Sequence, residues 1–357
     1  MLKRERMNRI LDRSEADVLL ISDPYAIWYL CEKRLFPGER FLGLLIGKDR
    51  EPVLFLNELF RFEEEIGIQK QYITDTDTAD RLLKDAIGHT GILGVDKTLP
   101  ARFLLPVMEA GIADRYINGS PAVDHTRAVK DAEETALMRR SSQINDMAME
   151  RFKKLVRPQV TEKEVAAQIM DIYLELGAHD FSFPPIVAFG VNAADPHHMP
   201  DDTVLKEGDT VLFDVGCKYS NYCSDMTRTF FYKKEPSAEQ KRVYDLVRRA
   251  NEEAEAAVRP GVRLCDIDSI ARDIITEGGF GKDFTHRLGH FIGLEDHEYG
   301  DVSQSFEDRT EAGNIFSIEP GIYNKEILGC RIEDLVLVTE DGCEVLNQYP
   351  HEIEIIE

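Results

Sequence analysis

Apolar residues in the first third of the chain come in short bursts separated by charged, helix-periodic stretches. Met7, Ile10 and Leu11 share one face of Arg4–Ser14, and that spacing predicts an amphipathic helix. Val18-Leu19-Leu20-Ile21 is short and uniformly apolar and reads as a buried strand closed by Ser22-Asp23-Pro24. Two further strands, 41–46 and 53–56, flank the turn Gly47-Lys48-Asp49-Arg50, and a helix over 77–87 leads into a strand over 92–95. Alternating strands and helices predict an α/β domain over residues 1–122. The polar run Asn118-Gly119-Ser120-Pro121 reads as the linker to a second domain over 123–357.

From Asp131 the period becomes helical throughout. Leu137, Ile144, Met147, Ala148, Phe152 and Leu155 line one stripe until Pro158 stops it. The module then returns. Val156-Arg157-Pro158-Gln159-Val160 recurs 102 residues later as Val258-Arg259-Pro260-Gly261-Val262, with Ile172 matching Ile274 and Gly177 matching Gly279. At an offset of 105, the run from Gly208 to Gly216 lines up with the run from Gly313 to Gly321. Each is a glycine turn, an apolar strand, and a carboxylate (Asp214 or Glu319) two residues before a second glycine. A further acid follows in each half, Asp225 and Glu333. Two similar halves packed about a pseudo-twofold would bring these four acids together.

Acids at the ends of apolar strands are costly to desolvate unless a cation or hydrogen-bond donors compensate. Several facing one cavity repel one another and resist ionisation. Divalent cations answer both problems, and oxygen-rich ligation with an imidazole suits Mn²⁺, Co²⁺, Fe²⁺ or Zn²⁺ in a two-metal centre. Five of nine histidines supply the imidazole candidates: His197 and His198 in one stretch, His286, His290 and His297 in another. His197 and His297 stand about one repeat apart and are expected to face each other across the cavity; His286 reads as a partner that orients another ligand.

Composition narrows the class further. With 66 acidic against 43 basic side chains, the formal charge is −23, so a nucleic-acid partner is not expected. No apolar run is long enough to span a membrane and the charged first residues hold no signal core, so a cytoplasmic protein is expected. Six scattered cysteines without a Cys-x-x-Cys pair read as reduced, mostly buried side chains. Dinucleotide, phosphate-loop and nucleophile-elbow motifs are absent.

The ordered set Asp214-x-Gly216, Ser224-Asp225-Met226-Thr227-Arg228-Thr229, Leu288-Gly289-His290, His297-Glu298, Ile318-Glu319-Pro320-Gly321 and Arg331-Ile332-Glu333-Asp334 resembles the pita-bread metallopeptidases. Within them it looks most like prolidases (Xaa-Pro dipeptidases) and the related Xaa-Pro aminopeptidases. Ile27-Trp28-Tyr29-Leu30 and Gly38-Glu39-Arg40-Phe41 are weaker likenesses to the creatinase-type N-terminal α/β domain of the same enzymes.

The resemblance implies an α+β pita-bread catalytic domain with an internal repeat, small peptide substrates with proline at the second position, and a homodimer. It implies Asp214, Asp225, His290, Glu319 and Glu333 as ligands of two divalent ions, most readily Mn²⁺, with Asp225 and Glu333 bridging. Glu319 would also shuttle the proton, His197 and His297 would contact substrate and its oxyanion, and Arg331 would orient carboxylates. Two positions depart from the family pattern. Phe291 replaces the usual glycine after His290, and Tyr299-Gly300-Asp301 replaces an aromatic-Pro pair with a nearby basic residue. Asp301 would repel a dipeptide's carboxylate, which bears on dipeptidase against aminopeptidase action. A metal-free creatinase-like C–N hydrolase would have lost the acids, and all are present. A non-catalytic binding protein of the same fold is the remaining alternative.

Overall fold

Helix α1 (Arg4–Arg13) buries Met7, Ile10 and Leu11, as their spacing requires, and leads into β1 (Val18–Ile21). In the computed structural model, which describes residues 1–357, β1 lies inside a six-stranded sheet. Its other strands are β2 (Leu42–Gly47), β3 (Arg50–Asn57), β4 (Gln69–Ile73), β5 (Thr90–Val95) and β6 (Ala113–Asn118), in the order β4-β3-β2-β1-β5-β6. Helices α2 (Pro24–Cys31), α3 (Ala79–Ile87), α4 (Ala101–Glu109) and α5 (Ser120–Ala128) complete this unit.

Two features differ from the sequence expectation. Ser22-Asp23-Pro24 ends a strand but also starts α2: the Asp23 side chain accepts from the amides of Tyr25 and Ala26, and Pro24 takes the first helical position. The polar run at 118–121 is not a free linker. Asn118 closes β6, its side chain accepts from the Ser120 amide at 3.1 Å, and α5 begins there. The chain divides into units Met1–Arg127 and Ala128–Glu357.

The second unit repeats one module. Helices α6 (Ala132–Lys153) and α7 (Glu162–Leu176) precede β7 (Asp180–Phe181), β8 (Ile186–Phe189), β9 (Thr210–Val215), β10 (Cys217–Tyr219), β11 (Tyr222–Cys223) and β12 (Met226–Tyr232). Helices α8 (Ala238–Ala257) and α9 (Leu264–Glu277) precede β13 (Gly289–His290), β14 (Asp301–Val302), β15 (Ile315–Ile318), β16 (Gly321–Asn324), β17 (Leu328–Arg331), β18 (Asp334–Val338), β19 (Cys343–Val345) and β20 (Ile355–Ile356). The repeat extends to backbone detail. Left-handed Gly177 (φ 97°) recurs as Gly279 (φ 90°), and Gly208 (φ 91°) as Gly313 (φ 94°), positions where a side chain would be strained.

Each half has its own core. Ile144, Phe152, Val165, Ile169, Val211 and Phe213 pack together in the first. Val247, Ile267, Ile275, Phe316, Ile318 and Val336 do so in the second. Strand β12 serves both, because successive residues point to opposite faces: Phe230 enters the first core and Phe231 the second. Each such fully buried side chain contributes roughly 1.5–3 kcal/mol, so the shared strand is held from both sides. Fully buried Arg228 on β12 pairs with Asp334 of β18 at 2.6 Å and donates to the Tyr349 carbonyl at 2.7 Å, tying the halves electrostatically. The cysteines form no disulfide, and Cys31, Cys217, Cys223 and Cys330 are buried. No helix is long and apolar enough to cross a membrane.

Candidate metal centre

Strand register brings the acids together. In the antiparallel pair β9–β12, Asp214 lies opposite Thr227, and Thr227 in turn bridges to Glu333 from the second half. Opposed residues share a face, and residues two apart on a strand do too, so Asp214, Asp225, Thr227, Arg331 and Glu333 all project to one side. Glu319 follows Ile318, which pairs with Asp334, so one more step of that register sets Glu319 beside Glu333. His290 is held by β15: its amide donates to Ser317 Oγ at 3.0 Å, while the Glu319 amide donates to the Leu288 carbonyl at 2.8 Å. Asp214, Asp225, His290, Glu319, Arg331 and Glu333 line a cavity of about 690 Å³, together with His197, His286, His297, Arg287 and Asp296.

Within it, single ligand atoms of Asp225, His290 and Glu333 lie within 4.8 Å of one another. His290 Nε2 stands 3.6 Å from both Asp225 Oδ2 and Glu319 Oε1. Thr227 Oγ1 donates to Glu333 at 2.6 Å and accepts from Arg331 Nε at 3.0 Å. Arg331 also donates to Asp214 and, at 2.8 Å, to the Tyr323 hydroxyl. The Tyr323 hydroxyl lies 2.7 Å from His286 Nε2, whose Nδ1 lies 2.6 Å from the Arg287 carbonyl. A hydrogen-bonded chain thus runs from His286 through Tyr323 and Arg331 to Asp214.

The cluster gathers more carboxylates than the single Arg331 guanidinium beside Asp214 and Glu333 can balance. Burial, then the neighbouring Glu333, pushes the Asp225 carboxyl far above its ordinary range; burial, then Glu319 and Asp214, does the same to Glu333. Burial raises Glu319 to about 8 and Asp296 to about 7. Burial, then His297 and Arg287, pushes His290 well down, so it is a neutral imidazole with a lone pair to give. Asp214 Oδ1 and Asp225 Oδ1 are buried without a hydrogen-bond partner. Unpartnered buried carboxylate oxygens beside a neutral imidazole fit two divalent ions, and no protein donor answers them. The five residues expected as ligands converge here, the His297 ring packs against that of His290, tilted 46° with centroids 4.0 Å apart, and exposed His197 lies on the wall.

Both departures from the family pattern find local partners. Alternation along the strand sends His290 into the cavity and Phe291 away from it, into the second core beside Phe316 at 5.3 Å. Asp301 pairs with Arg287 at 2.7 Å, which matches its charge. Sequence reasoning missed Asp296, Thr227, Ser317 and Tyr323. Asp296 adjoins His297 and was legible as one more acid in a histidine-rich stretch; the others are ordinary strand residues whose role depends on what lies across from them. The apolar wall of Phe183, Pro184, Ile186, Pro196 and Met199 was also not foreseen.

The strand carrying His290 tolerates no thickening. A Cβ on Gly289 would stand 1.8 Å from the Ser317 carbonyl oxygen, which is backbone and cannot swing aside. Gly289→Ala is expected to cost about 3 kcal/mol and to lower metal content with it. Calorimetry and metal analysis check this; an unchanged melting temperature and metal content would show that the two strands are not so closely apposed.

Comparison with known proteins agrees with this geometry. A model of the creatinase/prolidase N-terminal domain matches residues 3–129, and one of metallopeptidase family M24 matches residues 136–340. The chain is 36% identical over 350 residues to an uncharacterized peptidase of Staphylococcus epidermidis, covering 98% of this chain and 99% of that one. It is similar to the solved Xaa-Pro dipeptidase from Bacillus anthracis, with TM-score 0.88, 30% identity and 99% of both chains covered. It is also similar to the X-Pro aminopeptidase from Thermotoga maritima, with TM-score 0.85, 29% identity and 98% and 100% covered.

Proposed function

The chain belongs to metallopeptidase family M24, and from that premise we propose that it hydrolyses the Xaa-Pro bond with two divalent ions, as an Xaa-Pro dipeptidase in preference to an Xaa-Pro aminopeptidase. It is a metallo-exopeptidase. The observation that most supports the two-ion reading is the convergence of Asp214, Asp225, His290, Glu319 and Glu333 on one cavity with oxygens no protein donor satisfies. Mn²⁺ is the ion these ligands suit best in this proposal, which also takes the cytoplasm as the compartment and a homodimer as the assembly.

In this mechanism the five ligands would hold the ions, which supply Lewis acidity to the scissile carbonyl and acidify the attacking water. Glu319 takes the water proton and passes it to the proline nitrogen as the C–N bond breaks, giving a carboxylic acid and a secondary amine that part as carboxylate and ammonium. Arg287 Nη2 lies 3.3 Å from His297 Nδ1 and donates to it, leaving the ring proton on Nε2. That Nε2–H, 3.4 Å from Asp296 Oδ2, would donate to the oxyanion that develops on the substrate, with His197 a second donor. Phe183, Pro184, Ile186, Pro196 and Met199 offer the apolar surface a pyrrolidine ring fits. Arg331 spends its donors on Asp214, Thr227 and Tyr323, so it holds carboxylates and not substrate.

Aminopeptidase action draws support from the Arg287–Asp301 pair. Arg287 is the cavity cation nearest to free, and Asp301 shares its charge, which weakens any grip on a dipeptide's terminal carboxylate. Turnover of Ala-Pro and Ala-Pro-Ala, before and after chelation and Mn²⁺ return, separates these outcomes. Metal-dependent cleavage with higher kcat/KM on the dipeptide is expected. Faster tripeptide cleavage would make the protein an aminopeptidase. Turnover surviving exhaustive metal removal would overturn the mechanism, and bound metal without turnover of either peptide would leave a binding protein.

A further inference from the structure

Glu162, the first residue of α7, has no exposed surface, yet it is a carboxylate outside the metal cluster. Its Oε1 accepts from the Phe189 amide at 2.7 Å and from Asn192 Nδ2 at 3.0 Å. Its Oε2 accepts from the Asp201 amide at 3.0 Å and lies 2.6 Å from His198 Nε2. Although Glu162, His198 and Asp201 cluster closely enough to suggest a cation site, the two oxygens already face four nitrogens. A cation there would meet N–H groups, so the cluster reads as an internal clamp, unlike Asp225 and its unpartnered oxygen.

The four donors come from points spread over residues 189–201, the segment that rims the catalytic cavity. Pro196, His197 and Met199 line that cavity, while His198 between them turns back to Glu162. The His197 backbone amide donates to Asp195 Oδ1 at 3.1 Å, but its exposed ring makes no hydrogen bond, so the loop alone sets where the ring stands. We propose that Glu162 is a positioning residue of the catalytic site: through His198 it clamps the 189–201 segment so that His197 faces the substrate. This rests on the peptidase assignment of the cavity given above. Misplacing a substrate-contacting group by about 1 Å costs about a hundredfold in rate, so the clamp matters although it touches no substrate.

The test uses the Mn²⁺-loaded full chain with Glu162→Gln, His198→Gln, His197→Ala and the double variant Glu162→Gln/His197→Ala. Glu162→Gln turns one acceptor into a donor facing donors; His198→Gln keeps a donor and covers the case in which the first variant fails to fold. Either single clamp variant is expected to lower kcat by about ten- to a hundredfold with metal content retained. Beside His197→Ala, the same change should add almost nothing. Amide hydrogen exchange should rise across residues 189–201, and, with diamagnetic Zn²⁺ in place of Mn²⁺, the NMR signal of the His197 ring should shift in the clamp variants, both without substrate. Losses in kcat that multiply with His197→Ala, or exchange and ring signals unchanged from wild type, would overturn the clamp. A wild-type chain inactive on Xaa-Pro peptides would instead remove the peptidase assignment, and the exchange and ring signals would still decide the positioning of His197.

Discussion

Asp225→Asn is expected to abolish turnover and metal retention together, with kcat down at least about a thousandfold, equivalent to about 4 kcal/mol of barrier. Asp225 is 3% exposed, its Oδ1 has no donor, and Glu333 beside it raises its proton affinity further. In the proposed centre a neutral amide would be a poor ligand for two cations, so the ions would lose one anionic ligand. The same change has the opposite effect once metal is gone. The stripped wild-type protein must bury several mutually repelling acids, and Asn removes one of them. The stripped variant should therefore melt above the stripped wild type, while the Mn²⁺-loaded wild type melts above the Mn²⁺-treated variant. Metal analysis, kcat and calorimetry with and without chelator check the inversion. A variant that keeps both ions and wild-type kcat would show that Asp225 does not hold them.

Metal removal is expected to lower the melting temperature by an amount that grows with pH, reaching on the order of 5–10 °C at pH 8. Burial raises Glu319 from its ordinary 4.5 to about 8 and Asp296 to about 7, and it raises Asp225 and Glu333 as well. In the stripped protein the folded state keeps protons that the unfolded chain releases. Stability from these groups is thus complete below about pH 3.8, the ordinary value of the aspartates, and drains away as pH climbs through 8. With Mn²⁺ present the trend reverses, since the ions bind the deprotonated ligands and protons compete with them as pH falls. The histidines do not blur the comparison. Burial pushes His290 and His286 down, so they oppose folding below about pH 6.5 with or without metal. Melting curves at pH 5, 6.5 and 8, with and without chelator, read the gap directly; one that stays constant or narrows toward pH 8 would mean these acids are not the metal's ligands.

Much of the fold was legible because it rests on local spacing. The face shared by Met7, Ile10 and Leu11 and the apolar run Val18–Ile21 became α1 and β1 with their ends nearly as read. Strands β4 and β6 escaped notice, since Gln69–Ile73 and Ala113–Asn118 are polar and lie at the sheet edges, where alternation is not enforced by burial. Helix α2 escaped because Asp23-Pro24 is both a strand stop and a helix start, and the pair alone does not say which role it takes.

The site divides in the same way. Sequence alone determined that four acids recur at matched places in a duplicated module, because a repeat conserves the chain positions where strands begin and end. Only the tertiary structure decided that Thr227 bridges Glu333, that Phe291 turns to the core, that Arg287 neutralises Asp301, and that His198 belongs to Glu162 while its neighbour His197 faces the cavity. Side-chain direction alternates with every residue of an extended strand, and partners more than a hundred residues away are chosen by register, which no local pattern records.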